Sequence, residues 1–435
     1  MVGIERTSIS RMRADAEAIY RAAVKAVLPA VFLPPVLPRP RPNQRVVIFA
    51  AGKAAGSMAE AAERHYLAAG VPRERLSGLA VARHGYGRRL EVLDAREAGH
   101  PVPDQAGLDA TAEMMKRASA VSPDDLVVFL LSGGASANLV APAGAITLAE
   151  KQDLTRQLLR AGVPIHEINT VRKHISRVKG GRLAALMNGA EIVTLALSDV
   201  PGDDISMIGS GPTIPDASTL EEARAILVRY GLQSPASIST ALDDPANETP
   251  KADNPIFARS RALVAARPLD GYCAAIRKAE ALGYRVIDLG ELEGEARDVA
   301  ASHAPRARAE AHSGPVALFS GGELTVTIRG QGRGGPNQEY ALALAAALRS
   351  ARGIVALAAD TDGTDGGVGR ADDPAGAFVD ETTLQRAAAL GLDPAAMLAD
   401  NDSSGFFRAL GDLFVPGPTF TNANDLRVIL CGTVT

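Results

Sequence analysis

Five segments of this 435-residue chain place glycine beside a cation, a pair of serine hydroxyls or a group of carboxylates just after an apolar run. In open α/β sheets, ligands sit outside the carboxyl ends of strands, where helix N-termini present unbonded backbone N–H groups. In FAAGKAAGSMA, Gly52 and Lys53 stand between an apolar run and an Ala-rich helical segment, so an ammonium beside helix N–H groups suits a carboxylate or phosphate. A solvated lysine at a helix start is the other reading. LSGGASANL (131–139) strips side chains from Gly133 and Gly134 and adds the Ser132 and Ser136 hydroxyls, again donors for an anionic oxygen, although Gly-Gly also serves as a plain strand terminator. SDVPGDD, running into GSGPT, sets Asp199, Asp203 and Asp204 after a third apolar run and ahead of the turn holding Gly211 and Thr213. An Asp at a strand tip is a standard oxygen ligand for Mg²⁺, and capping or turn formation is the competing role for Asp203 and Asp204. ADTDGTDGG (359–367) repeats the carboxylate theme with Asp360 and Asp362, and GQGRGGPNQE (330–339) holds Arg333 in a glycine-rich loop with Asn337 opening a helix.

A sixth segment is basic. INTVRKHISRVKGGRLA carries Arg172, Ser176 and Lys179 at i, i+4 and i+7, one face of a helix that either meets a polyanion or is solvated; His174 is expected to be packed. Several alternative chemistries fail on spacing. A dinucleotide fingerprint aligned on Gly52 needs glycines where Ala50 and Ala55 stand, and the next strand ends in Arg83 and His84 instead of a ribose-binding acid. A Walker loop needs its lysine at the end of the loop, but Lys53 is at the beginning. No G-x-S-x-G elbow surrounds Ser132 or Ser136, and Thr364 stands where an EF-hand needs its third ligand. Two cation-bearing cradles, two acidic loops and several glycine turns point to a highly charged, metal-neutralised ligand, and phosphoryl transfer fits that set best.

The elements that must position these groups follow from apolar periodicity. Short runs at 45–51, 78–82, 126–131 and 192–197 alternate with helical patterns near 54–69, 105–120, 147–161 and 168–188, predicting buried parallel strands in a doubly wound sheet. An amphipathic helix from Ser8 or Ser10 to about Leu28 precedes them, followed by a proline-rich stretch expected to be a stiff connector. The polar, proline-broken segment 242–254 is the expected crossing into a second α/β domain, with strands at 262–266, 284–289, 316–319, 324–328, 354–358 and 427–430 and helices near 268–282, 293–312 and 337–351. The resulting architecture is an N-terminal Rossmann-like parallel-sheet domain at 1–245 and a smaller C-terminal α/β domain at 255–435.

Composition is compatible with this layout. Net charge is −4, so no overall cationic field holds nucleic acid. With 46% hydrophobic and 22% charged residues, general disorder is excluded, and with only 4% aromatics and no Trp the core volume comes from Ala, Val, Leu and Ile. Two cysteines, Cys273 and Cys431, exclude a disulfide framework or a Cys-cluster metal site and fit a reducing compartment. The charged N-terminus does not look like a signal peptide, and no run approaches the roughly 18 apolar residues of a membrane span; the expectation is a soluble cytoplasmic protein.

Taken in order, AAGKAAGSMA, GHPVPD, LSGGASANL, NTVRKHISRVKGGRLA, SDVPGDD, GSGPT, SGGE, GRGGPNQE, DTDGTDG and TNANDL resemble the class II glycerate kinases, whose C-terminal domain is called MOFRL; the phrases span positions 50–425. That resemblance implies ATP- and Mg²⁺-dependent phosphorylation of D-glycerate, usually at the 2-hydroxyl, in a cleft between two domains. It implies a lysine and an arginine as the important cations. Lys53 matches the lysine; Pro336 stands where many relatives carry the arginine, so either Arg333 three residues earlier substitutes or the role falls elsewhere. The expected catalytic groups are therefore Lys53, Arg333 and Asp199. The binding set is Gly52, Ser132, Gly133, Gly134, Ser136, Arg172, Gly211, Thr213, Gly322, Glu323, Asn337 and Asn424, with Asp199, Asp360 and Asp362 for the metal. Two other functions stay open: an NAD(P)H-dependent hydroxypyruvate reductase, a label members of the family have carried, and a non-catalytic anion-binding sensor. A homodimer is compatible with the sequence, and no nucleic-acid or membrane partner is expected.

Overall fold

The computed structural model describes residues 2–349, 351–367, 370 and 372–432. The chain forms two compact units: one is Pro29–Arg267, and the other joins the N-terminal segment up to Leu28 with the chain from Pro268 onward.

In the first unit, β1 (Val46–Ala51), β2 (Leu76–Arg83), β3 (Asp94–Ala98), β4 (Leu126–Ser132), β5 (Glu191–Leu197) and β6 (Ser260–Ala266) form one all-parallel sheet in the order β3-β2-β1-β4-β5-β6. Every residue of β1 and β4 is buried, as expected for strands covered on both faces. The strand order reverses between β1 and β4, the switch point at which loops leaving the carboxyl ends diverge and leave a crevice. Helices Ala55–Ala68 and Gln105–Ser119 cover this sheet, the latter capped by Asp104, whose side chain accepts from the Gly107 N–H.

Three details depart from the sequence reading. The edge strand β3, DAREA, is largely exposed and polar and carries no apolar alternation to announce it. The basic stretch is not one helix: Ile165–His174 ends there, a loop carries Ser176 and Lys179, and a short helix resumes at Arg182–Ala185. β6, expected in the second domain, pairs with β5 from Ile192↔Ser260 to Leu197↔Ala266. The segment 242–254 is therefore interior to the first unit, where Thr249 donates to Asp216, and the chain passes on only after Arg267.

In the second unit, β7 (Arg285–Glu291), β9 (Val316–Gly321), β11 (Ile354–Asp360), β12 (Gly376–Asp380), β13 (Leu413–Phe414) and β14 (Asp425–Cys431) form a mixed sheet ordered β13-β12-β11-β14-β9-β7. Among the described strands of this sheet, β7 and β9 pair in parallel and the others antiparallel; β8 (Gly294–Glu295) and β10 (Leu324–Thr325) make a separate two-stranded parallel ladder. One face packs on helices Ala296–Glu310 and Pro336–Leu348. The other packs on Pro268–Ala281 and on the N-terminal helix Val2–Ala26, whose Met12, Ala16, Ile19, Tyr20 and Ala23 are buried among Tyr272, Phe319 and Val428. The N-terminal helix thus belongs with the C-terminal half of the chain, because its apolar stripe is completed there. The expected boundary near 245–255 is replaced by crossings at 28/29 and 267/268.

The polar edge strand β3 is tied down by a buried carboxylate. Glu63 accepts the backbone N–H groups of Glu91, Val92 and Leu93 at 2.7, 2.9 and 2.8 Å. Glu63→Ala leaves those donors without an acceptor and is expected to lower stability by about 2–4 kcal/mol, read as a lower urea midpoint at unchanged slope. An unchanged midpoint would show that water replaces the carboxylate.

Candidate active site

The turns leaving β1 and β4 are stitched together at the switch point. The Lys53 N–H donates to the Gly133 carbonyl at 2.8 Å, and the Ala54 N–H donates to Ser132 Oγ at 3.0 Å. Gly52 is held at φ +117°, directly against Ser132, where a Cβ would come within 2.4 Å of both the Ser132 carbonyl and its hydroxyl. Asp199, at the tip of neighbouring β5, lies so close to Gly133 that a Cβ there would sit 1.5 Å from its Oδ2. Gly134 touches the Lys53 stem and the His100 ring: a Cβ would meet Lys53 Cγ at 3.1 Å and His100 Nε2 at 2.9 Å. Three strand tips thus bring Gly52, Lys53, Ser132, Gly133, Gly134 and Asp199 to one place.

Beside Gly134 opens a cavity of about 190 Å³ lined by His100, Ser136, Lys151, Arg172 and Lys179. Lys179 is fully buried and donates to the Ser136 carbonyl and hydroxyl, both at 3.0 Å, and to the Gly209 carbonyl at 3.3 Å. Ser136 Oγ in turn lies 3.0 Å from Ser210 Oγ, which donates to Asn169. Burial, reinforced by Lys151 and Arg172, pushes the Lys179 ammonium well below the usual lysine range, and burial lowers Arg172 as well. Two other members of the basic stretch are held by the protein's own carboxylates. Lys173 is a buried ion pair with Asp216 at 2.9 Å, and His174, fully buried, lies 3.2 Å from Glu248.

Gly211 and Thr213 do not line this cavity. Gly211 accepts from the Gly181 N–H at 2.8 Å, and Thr213 is buried against Thr194, their hydroxyls 2.7 Å apart. Asp204 caps the Ser206 N–H, a turn-forming role, whereas the Asp203 side chain pairs with Arg267 at 3.3 Å. Lys151 and His100 are site residues that sequence pattern did not single out. Lys151 has one local oddity, a cation in the first turns of helix Leu148–Arg160, where the helix dipole disfavours it.

In the second unit, Arg333 is exposed and lines a cavity of about 820 Å³ with Arg370, Arg408, Asp365, Asn401 and Ser404. The loop around it is not an open cradle. N–H groups of Gly330, Gln331, Gly332 and Arg333 donate to Asn401 Oδ1, Asp400 Oδ1, the Asp400 carbonyl and Asp402 Oδ1, so the protein itself supplies their acceptors. The helix N-terminus behind it is occupied too, since the Asn337 and Gln338 N–H groups donate to the Asp365 carboxylate at 3.0 and 2.9 Å. The Asn337 side chain donates to Asp425 at 2.7 Å. Asp360 and Asp362 each cap a nearby N–H, of Asp362 and Thr364 respectively, at 2.8 Å, giving the acidic loop its turns. Asn424 adopts φ +57° and its carbonyl accepts from Thr361 Oγ1 at 2.7 Å. Gly322 accepts from the buried Arg427 guanidinium at 2.9 Å, and Glu323 next to it is exposed. Among the described residues, no three His, Cys, Asp or Glu side chains are grouped to hold a metal ion by themselves.

Asp365 is buried beside Asp425, and burial followed by that neighbouring charge pushes its carboxyl up to about 7. Because the folded-state value lies above the ordinary Asp value, the stability it confers is fully present below about pH 4 and is lost as pH rises through about 7. Asp365→Asn is expected to flatten the fall in Tm between pH 5 and pH 8, with roughly 2–4 °C recovered per kcal/mol. Parallel pH profiles for the two proteins would contradict this assignment.

Comparison with known proteins places these turns in a family. Residues 15–243 match a family described as a domain of unknown function, DUF4147, and residues 316–425 match the MOFRL family. A protein of Agrobacterium vitis provisionally named hydroxypyruvate reductase is 44% identical over 422 residues, covering 95% of this chain and 93% of that protein. The D-glycerate 2-kinase of Thermotoga maritima is 36% identical over 416 residues, covering 94% of this chain and 96% of that protein. A crystal structure of glycerate kinase from Thermotoga maritima superposes with a TM-score of 0.83 at 35% identity, covering 97% of this chain and 100% of that one. With both family matches in sequence order and whole-length relatives at this identity, the chain belongs to the glycerate kinase family that joins a DUF4147 domain to a MOFRL domain.

Proposed function

We propose that this protein is an ATP-dependent kinase that transfers the γ-phosphoryl group to D-glycerate, at the 2-hydroxyl. The observation that carries this reading is the convergence of Lys53, the Ser132–Gly134 turn and Asp199 on the switch point of a parallel sheet. Phosphoryl transfer asks the protein mainly for positioning and for charge stabilisation of the equatorial oxygens. Lys53, fixed through its own backbone N–H, supplies positive charge there. Asp199, held against the side-chain-free face of Gly133, accepts a hydrogen bond from the acceptor hydroxyl or contributes an oxygen to the metal. Arg333 is the proposed second cation. The carboxylates of Asp199, Asp360 and Asp362 are the hard oxygen donors Mg²⁺ takes, usually one or two at a time with phosphate oxygens and waters completing the shell. Bound Mg²⁺ neutralises phosphate charge.

The strand order, shared with dinucleotide-binding folds, favours a second reading as a nicotinamide-dependent reductase. The turn itself argues against it. Ala50 and Ala55 replace the fingerprint glycines, and the N–H groups of Lys53 and Ala54, which would face a pyrophosphate, are already bonded to Gly133 and Ser132.

Purified protein with ATP, Mg²⁺ and D-glycerate should release ADP, and phosphorus NMR of the product should show 2-phosphoglycerate. Binding without ADP release would favour a sensor, and sustained NAD(P)H oxidation with hydroxypyruvate would favour the reductase. Lys53→Ala is expected to lower kcat by roughly 100-fold or more with the far-UV circular dichroism unchanged. Undiminished turnover in that variant rejects the role of Lys53. Gly133→Ala drives a Cβ into the Asp199 carboxylate and, by displacing it, is expected to lower kcat by roughly 100-fold. Activity close to wild type would show that Asp199 does not act.

A further inference from the structure

The cavity beside Gly134 contains an electrostatic imbalance that folding alone does not explain. Lys151 is 4% exposed, and its Nζ has no hydrogen-bond partner among the described residues. Arg172 lines the same cavity, and Lys179 donates its ammonium to Ser136 and Gly209. The charged neighbours of Lys151 and Lys179 are cations, and no carboxylate is among the described residues that line the cavity. Burial, followed by the nearby charge of Arg172, pulls the Lys151 ammonium down to about 7. A buried ammonium without an acceptor is costly, and its position in the first turns of a helix adds to that cost. Buried charges in proteins are ordinarily paired or neutralised by a shifted pKa, and an anion from solution would supply the pairing that the protein does not. The volume, about 190 Å³, is below the roughly 300–1,000 Å³ of sites for drug-sized ligands, so the anion is small. Its lining includes Gly134, which touches the Lys53 stem.

We propose that Lys151 and Arg172 form the carboxylate subsite of the acceptor substrate, with Lys179 fixing Ser136 at its wall, and that this subsite makes the enzyme select a small hydroxy acid over a neutral polyol. This rests on the kinase reading and extends it. A carboxylate seated there directs the hydroxyl carbons of a three-carbon acid toward Gly134 and Lys53. The competing occupant of the same chemistry is a phosphate of ATP.

The test uses the full-length protein and Lys151→Met, with Arg172→Met as an independent second variant. D-glycerate is titrated calorimetrically without nucleotide, and KM is measured separately for D-glycerate and ATP. Loss of one charge-assisted contact is expected to weaken D-glycerate binding and raise its KM by roughly 10- to 100-fold, leaving the KM for ATP within about twofold. Unliganded Lys151→Met is also expected to melt at or above the wild-type temperature, because an uncompensated buried charge has been removed; a purely structural lysine would give the opposite shift. Unchanged glycerate affinity, a selective rise in the KM for ATP, a lowered Tm with both KM values raised together, or a wild-type protein that does not bind D-glycerate each overturns the proposal. Absence of ADP release by wild type would instead count against the kinase reading, and the nucleotide-free titration still decides the subsite.

Discussion

The geometry of the candidate site depends on two hydrogen bonds, from Lys53 N–H to the Gly133 carbonyl and from Ala54 N–H to Ser132 Oγ. They join the turns leaving β1 and β4 where the order of the sheet reverses. Each turn alone is a short, glycine-rich segment with little to hold it. Joined, they fix where the Lys53 side chain begins, where the Ser132–Gly134 backbone runs and how closely Asp199 approaches. Unlike in a dinucleotide-binding turn, these donors are used internally, and the cations near the joined turns are side chains: Lys53 in the turn, and Lys151 and Arg172 in the cavity beside Gly134.

The second unit shows the same economy with the sign reversed. Its glycine-rich loop and the helix N-terminus at Asn337 look like an anion cradle, and they do hold anions, but those of the protein itself: Asp365, Asp400 and Asp402. Bringing Asp365 into the interior beside Asp425 raises its pKa, and the helix N–H groups and the Gln338 amide partly offset this. The acidic turn 360–365 is consequently ordered by its own carboxylates, through successive side-chain to backbone caps.

Much of the first unit was legible because its central strands are uninterrupted apolar runs, which only burial on both faces accommodates; β1, β4 and β5 lie within a residue or so of their expected limits. The residues at their tips were legible for the same reason, since a glycine or an acid after such a run stands where ligands gather. The affiliation of elements was not. Nothing local to Ser260–Ala266 says that its partner is β5, and nothing in the N-terminal helix says that its stripe is completed by Tyr272 and Phe319. Lys151 was hidden because LAEKQDL has the pattern of a solvated helix, and only tertiary packing closes over the ammonium. The 330–335 loop misled because its acceptors come from residues about seventy positions later.

The two chain crossings impose an order on biosynthesis. The N-terminal helix emerges first, yet the surface that covers Met12, Ile19 and Tyr20 is encoded beyond Pro268, more than two hundred residues later. At roughly 5–20 residues per second, the ribosome leaves that greasy stripe uncovered for on the order of 10–50 s while the intervening sheet assembles. During that interval the nascent chain offers an amphipathic ligand to any chaperone at the exit tunnel, and its final burial is a late, post-insertion step.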